Sequence, residues 1–178
     1  MCMAKPLDSD TGFTGRLTDG TYWEKMTLNA IPAAHFYGKA TLDDDCKRAI
    51  DQCSRFPNLN VRSRKRPSSD KFYDQIKCQF TLRMLAANGN SSEFDKVFND
   101  NHGDAMVYSF HDDTEIIRWV IIDLKVLRQE WNLWMVDPLI EPFFTDQRNS
   151  TDQCPFRAFD LTRMKNPKLV VATSSGFF

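Results

Sequence analysis

At 178 residues the chain has the length of one domain, long enough to bury most of the apolar surface of a single core. Hydrophobic residues at 42% and charged residues at 26% exclude a disordered chain, and no apolar run approaches the roughly 20 residues of a membrane span. A formal net charge of -1 excludes a partner held by whole-chain basicity, so a nucleic-acid contact has to rest on a local patch.

The first residues carry no apolar signal core, which predicts a cytoplasmic protein. Cys2, Cys46, Cys53, Cys78 and Cys154 include no C-x-x-C pair and predict reduced, mostly buried thiols, neither a disulfide framework nor a zinc knuckle. Residues 1–20, rich in Gly, Asp, Thr and Ser, predict a partly ordered lead-in to one α/β domain over residues 21–178. Thr41 ahead of Leu42-Asp43-Asp44-Asp45 predicts a helix start, because a hydroxyl caps free N–H groups and first-turn acids favour the helix dipole. That helix is expected to run to about Cys53, with Leu42, Cys46, Ile50 and Cys53 as its apolar stripe.

Residues 59–80 pattern as a β-hairpin turning at Pro67-Ser68-Ser69-Asp70. On its second strand Phe72, Ile76, Cys78 and Phe80 share one face, with Asp74 intruding, and Gln75 and Lys77 are neighbours on the other. The basic run Arg62, Arg64, Lys65 and Arg66 reads either as a solvated turn or as a phosphate-binding patch. Ser91 or Ser92 caps a short helix through Glu93, Phe94, Val97 and Phe98. Two apolar runs, 103–110 and 116–125, surround the polar turn His111-Asp112-Asp113-Thr114-Glu115 and predict a second hairpin, whose near-continuously apolar second strand belongs inside a sheet. A helix over residues 126–134, breaks at Pro138 and Pro142, and short strands at 156–161 and 169–173 complete a central mixed sheet containing both hairpins, with helices on its faces.

Chemistry concentrates in the second hairpin. Strand alternation puts Ile117, Trp119, Ile121, Asp123 and Lys125 on one face, so an apolar face becomes ionic at its end. Antiparallel counting sets Asp104 opposite residues 121–122, and two carboxylates and a lysine then converge. A hard cation, Mg²⁺ or Mn²⁺, is commonly held by one or two carboxylates plus phosphate and water, which makes Asp104 and Asp123 candidate metal ligands. Lys125 is placed to stabilise charge at a scissile phosphate.

Asp104 and Asp123-Leu124-Lys125, with Glu93 on a preceding helix, resemble the pattern of the PD-(D/E)xK nuclease superfamily over residues 92–135, with Gly103 where the family usually has Pro. A second registration places Asp74-Gln75-Ile76-Lys77 on the Q-x-K variant seen in some restriction-type and phage-type nucleases, with Gln75 and Lys77 as the active pair. The resemblance implies a restriction-endonuclease-like fold, a metal-dependent nuclease hydrolysing phosphodiester bonds in DNA, and Asp104, Asp123 and Glu93 as ligands of Mg²⁺ or Mn²⁺. A non-catalytic protein of the same fold that binds nucleic acid or a protein partner is the rival reading, and a homo-oligomer is left open. A third class, an interaction module, would use the aromatic stretch from Trp131 through Trp134 to Phe143 and Phe144 as an exposed apolar surface, whereas core packing would bury it. His35, His102 and His111 are too scattered for a ligand set and are expected on loops or the surface.

Overall fold

The computed structural model describes residues 13–35, 37–39, 52–54, 56–85, 91–137, 139–149, 153–175 and 178. In chain order it contains α1 (Phe13–Ala30), a 3-10 turn (Ala33–His35), β1 (Tyr37–Lys39), β2 (Gln52–Ser54), β3 (Leu59–Lys65) and α2 (Asp70–Ile76). There follow β4 (Gln79–Arg83), α3 (Glu93–Phe98), β5 (Ala105–His111), β6 (Ile116–Asp123), α4 (Leu124–Val136), β7 (Phe144–Arg148), β8 (Pro155–Asp160) and β9 (Val170–Thr173). The protein is thus mixed α/β, with a four-stranded mixed sheet in the order β3-β5-β6-β9, a three-stranded antiparallel sheet in the order β4-β8-β7, and the small pair β1-β2.

The β5-β6 hairpin forms as its apolar runs predict, and both strands are internal to their sheet. Its turn is closed by Asp112, whose Oδ1 accepts from the Thr114 and Glu115 backbone N–H groups at 2.7 and 2.9 Å. Alternation along the hairpin supplies two cores. Met106, Tyr108, Phe110, Val120 and Ile122 face one way and pack with Phe80 and Leu82 of β4, Phe159 of β8 and Leu127 of α4. Ala105, Val107, Trp119 and Ile121 face the other way, with Ile31 just beyond α1.

Helix α1 was not legible as a helix, because its inward stripe of Trp23 and Thr27 includes a polar residue and the segment carries two glycines. Thr27 is nonetheless fully buried: its hydroxyl donates to the Trp23 carbonyl at 2.8 Å and lies 2.7 Å from that of Ser109, which lies 2.9 Å from that of Ser63. His111, expected at the surface, is buried and stacks on Trp23 with ring centroids 3.8 Å apart.

The expected 59–80 hairpin does not form. Ser69 caps α2 by accepting from the Phe72 N–H, at 3.3 Å, and the chain from Asp70 winds as a helix that buries Ile76, half-buries Tyr73 and leaves Asp74 outside. The Asp that intrudes on an apolar strand face is unremarkable on a helix with a period of 3.6. In consequence β3 and β4 enter different sheets: β3 runs parallel to β5, and β4 pairs with β8. The short helix at Ser92 forms with a full capping box to Asp95, and α4 begins two residues earlier than its apolar pattern suggests. The helix expected from Thr41 falls on residues 41–51, outside the described residues, while its expected end, Gln52–Ser54, is strand. Cys78 and Cys154 are half-buried and form no disulfide among the described residues.

Candidate functional site

The hairpin acids do not assemble as the sequence suggests. Ala105 pairs with Asp123, which sets Asp104 level with Leu124 rather than with residues 121–122, and β6 stops at Asp123 because that side chain turns back to cap α4. Its Oδ1 accepts from the Lys125 and Val126 N–H groups at 2.8 and 3.0 Å. Lys125 therefore lies in the first turn of a helix, where residues two apart do not share a face, and the Asp123–Lys125 strand pair does not exist. Asp104 follows Gly103, which sits at φ 81°, and its Oδ2 accepts from the Asn58 N–H at 2.9 Å and the Asn58 side-chain amide at 3.1 Å. Asn58 leads into β3 on one flank of β5, and Asp123 ends β6 on the other, so each carboxylate is engaged by backbone N–H groups of a different segment. Among the described residues no group of three or more His, Cys, Asp or Glu is placed to hold a metal ion.

The alternative pair is separated by the same kind of change. Gln75 is exposed on α2, and Lys77 is that helix's C-cap, its Nζ 3.1 Å from Asp74 Oδ1. A helical rather than extended backbone removes the shared strand face that would have made Gln75 and Lys77 neighbours.

What the fold does gather is the basic run. In the β3 ladder Leu59, Val61 and Ser63 lie level with Ala105, Val107 and Ser109 on the α1 face, so Asn60, Arg62 and Arg64 point to the other side, where the second sheet begins. Both β3 and β4 are edge strands of their sheets. Between them opens a cleft of about 900 Å³ whose walls include Asn60, Arg62, Arg83, Glu93, Lys96 and His102. A narrower pocket of about 160 Å³ continues it, sharing Arg62, Ser63 and Arg83 and adding Arg64, Asn149 and Phe156.

The cations of this region differ in how they are compensated. Arg62 is paired with Glu93, whose Oε2 also accepts from the Arg83 backbone N–H at 2.9 Å. Lys65 pairs with Asp113 at 2.5 Å, and Arg66 pairs with Asp70 and lies over the Tyr73 ring at 4.9 Å. Arg64 is half-buried, yet no carboxylate, carbonyl or aromatic ring among the described residues engages its guanidinium. The Arg83 guanidinium and the Lys96 ammonium are likewise without an ion-pair partner among the described residues. Arg64 therefore presents a guanidinium with no anionic partner among the described residues to the pocket, where an anionic ligand would be stabilised. Four cations, Arg62, Arg64, Arg83 and Lys96, stand against two carboxylates, Glu24 and Glu93, in the lining of the cleft and its continuation.

The far wall is fixed by Arg128 of α4, which donates to the carbonyls of Val97 at 3.3 Å and Gly103 at 2.9 Å. The aromatic stretch divides: Trp131, Trp134, Phe143 and Phe144 join the core, with Arg157 over the Trp131 and Phe144 rings, while Leu133, Met135 and Val136 remain exposed. Arg83 and Lys96 had no local sequence signal, since each is a lone cation whose place in the cleft depends on which sheet β4 joins. Comparison with family models, with curated proteins and with solved structures gave no match. No helix among the described residues is long and apolar enough to cross a membrane.

Proposed function

We propose that this protein binds the phosphate backbone of a nucleic acid, DNA by the sequence expectation, in the cleft between β3 and β4. The observation that carries the reading is Arg64, half-buried and without a partner among the described residues, two residues along one strand face from Arg62 and sharing a pocket wall with Arg83. Guanidinium groups suit this role because their planar fork of donors matches phosphate oxygens. A net charge of -1 makes the attraction local, so the affinity is modest and steeply salt-dependent.

Binding without hydrolysis is favoured by where the acids lie. Glu93 is the one expected metal ligand on the cleft wall, and it is already engaged by Arg62 and the Arg83 N–H, while Asp104 and Asp123 hold backbone N–H groups elsewhere. The finer expectation, a restriction-endonuclease-like enzyme that cleaves DNA with Mg²⁺ or Mn²⁺, rests on Glu93 alone within this cleft and is an outcome of the same test.

That test is fluorescence anisotropy with a labelled oligonucleotide across roughly 50 to 200 mM salt. Replacing both Arg64 and Arg83 with Gln should lower the log-affinity against log-salt slope by about 1.4 on single strands or 1.8 on duplex, from roughly 0.7 or 0.9 per phosphate contact. Glu93→Gln should tighten binding, because it frees the Arg62 guanidinium and removes a negative charge. An unchanged slope in the double variant refutes the reading. Hydrolysis on adding Mg²⁺ that Glu93→Gln abolishes would establish the nuclease instead.

A further inference from the structure

We infer that the ligand of this cleft is single-stranded, an extension that rests on the phosphate-binding reading above. Duplex DNA is read by an element that projects into a groove, typically a helix or two-stranded ribbon in the major groove. Here the basic side chains lie in a concavity between two sheet edges, and the groups that would meet phosphate are recessed between β3 and β4. A single strand can enter such a groove, whereas a duplex meets only its rim.

The lining has the two components that single-strand binding uses, a basic track for the backbone and a ring on which a base can stack. The track is Arg62 and Arg64, spaced about 6.6 Å apart along an extended strand, on the scale of one sugar–phosphate repeat. Arg83 faces them from β4 and lines both the wide cleft and the narrow pocket, which makes the two one continuous groove. The ring is Phe156, paired with Arg83 across the β4-β8 ladder and half-buried in the wall of the narrow pocket.

Phe156 stands apart from the other aromatics of its sheet. Phe144 and Phe159 pack against the core with Phe98 and Trp131, on the face that carries Arg157. The alternation of β8 turns Phe156 to the opposite face, and its ring touches no other aromatic ring among the described residues. Asn60 and Asn149 line the same groove and offer amide groups to base edges or sugar without selecting a sequence.

The discriminating measurement compares a labelled single-stranded oligonucleotide with the blunt duplex of the same sequence, by anisotropy at fixed salt, on the full chain. The single strand should bind at least about 10-fold tighter. Phe156→Leu should weaken single-strand binding by about 5-fold or more and leave duplex binding unchanged, while Phe156→Tyr, which keeps a ring, should retain it. The urea midpoint of each variant, matched to wild type, reports that the fold is intact. Duplex binding equal to or tighter than single-strand binding, with the Arg64 and Arg83 dependence preserved, would overturn the single-strand inference and leave the phosphate site standing. Indifference of the single strand to Phe156→Leu would overturn it as well. Loss of Arg64 and Arg83 dependence on both ligands would instead remove the underlying reading.

Discussion

Asp123 separates a structural from a chemical role, because the two make opposite demands on its substitutes. As the N-cap of α4 its Oδ1 accepts two backbone N–H groups, from Lys125 at 2.8 Å and Val126 at 3.0 Å. Removing such a cap costs about 1 kcal/mol, within a range of roughly 0.5 to 2, and losing a negative charge at a helix N-terminus adds roughly 0.3 to 1. Asp123→Ala should therefore destabilise by about 1.5 to 2 kcal/mol, a fall of about 3 to 8 °C in Tm for a chain of this length. Asp123→Ser and Asp123→Asn keep an acceptor oxygen and should lose only the charge contribution, about 0.3 to 1 kcal/mol. Urea unfolding at constant m reads the difference, with the order Ala far below Ser and Asn. If Asp123→Ser falls as far as Asp123→Ala, the capping hydrogen bonds contribute nothing and the reasoning fails. Mg²⁺-dependent DNA cleavage lost in Asp123→Asn at unchanged stability would return the carboxylate to the metal role that the sequence suggested.

Gly103 sits at φ 81°, and an added Cβ would come within 2.5 Å of Asn60 Nδ2 and 2.9 Å of Leu124 Cδ1. Left-handed strain of about 1 to 2 kcal/mol and overpacking of about 1 to 3 predict a loss of roughly 2 to 5 kcal/mol for Gly103→Ala in denaturant titration, and a loss under about 1 would contradict it. Acid should also unfold the protein progressively. The Ser92 hydroxyl beside Asp95, the Glu115 and Thr114 N–H groups beside Asp112, and the Arg157 guanidinium beside Asp146 hold these carboxyls below the usual range. Depressed values in the fold mean that this stabilisation is complete above the ordinary Asp range, near 3.9, and is lost as pH falls through the lower folded values. Urea midpoints that stay flat from neutral pH down through that window would show that these contacts contribute nothing.

Local pattern determined much of this protein. The β5-β6 hairpin was legible because two apolar runs surround a short polar turn, and the α3 cap because Ser91 or Ser92 precedes the helical spacing of Phe94, Val97 and Phe98. The same local logic named the basic run and the unusual Asp123. Tertiary structure decided the rest wherever two periods fitted the same residues. Over residues 70–76 a strand and a helix both accommodate the apolar positions, and the Ser69 cap with Ile76 buried against the sheet selected the helix. That choice put β3 and β4 into different sheets. Asp123 shows the same limit: its carboxylate could face a cation or its own helix, and the chain's turn into α4 brought two N–H groups to it first. The cleft was the least legible feature, because Arg83, Lys96 and Phe156 become neighbours of Arg62 and Arg64 only when two sheet edges face each other, and no spacing along the chain encodes that approach.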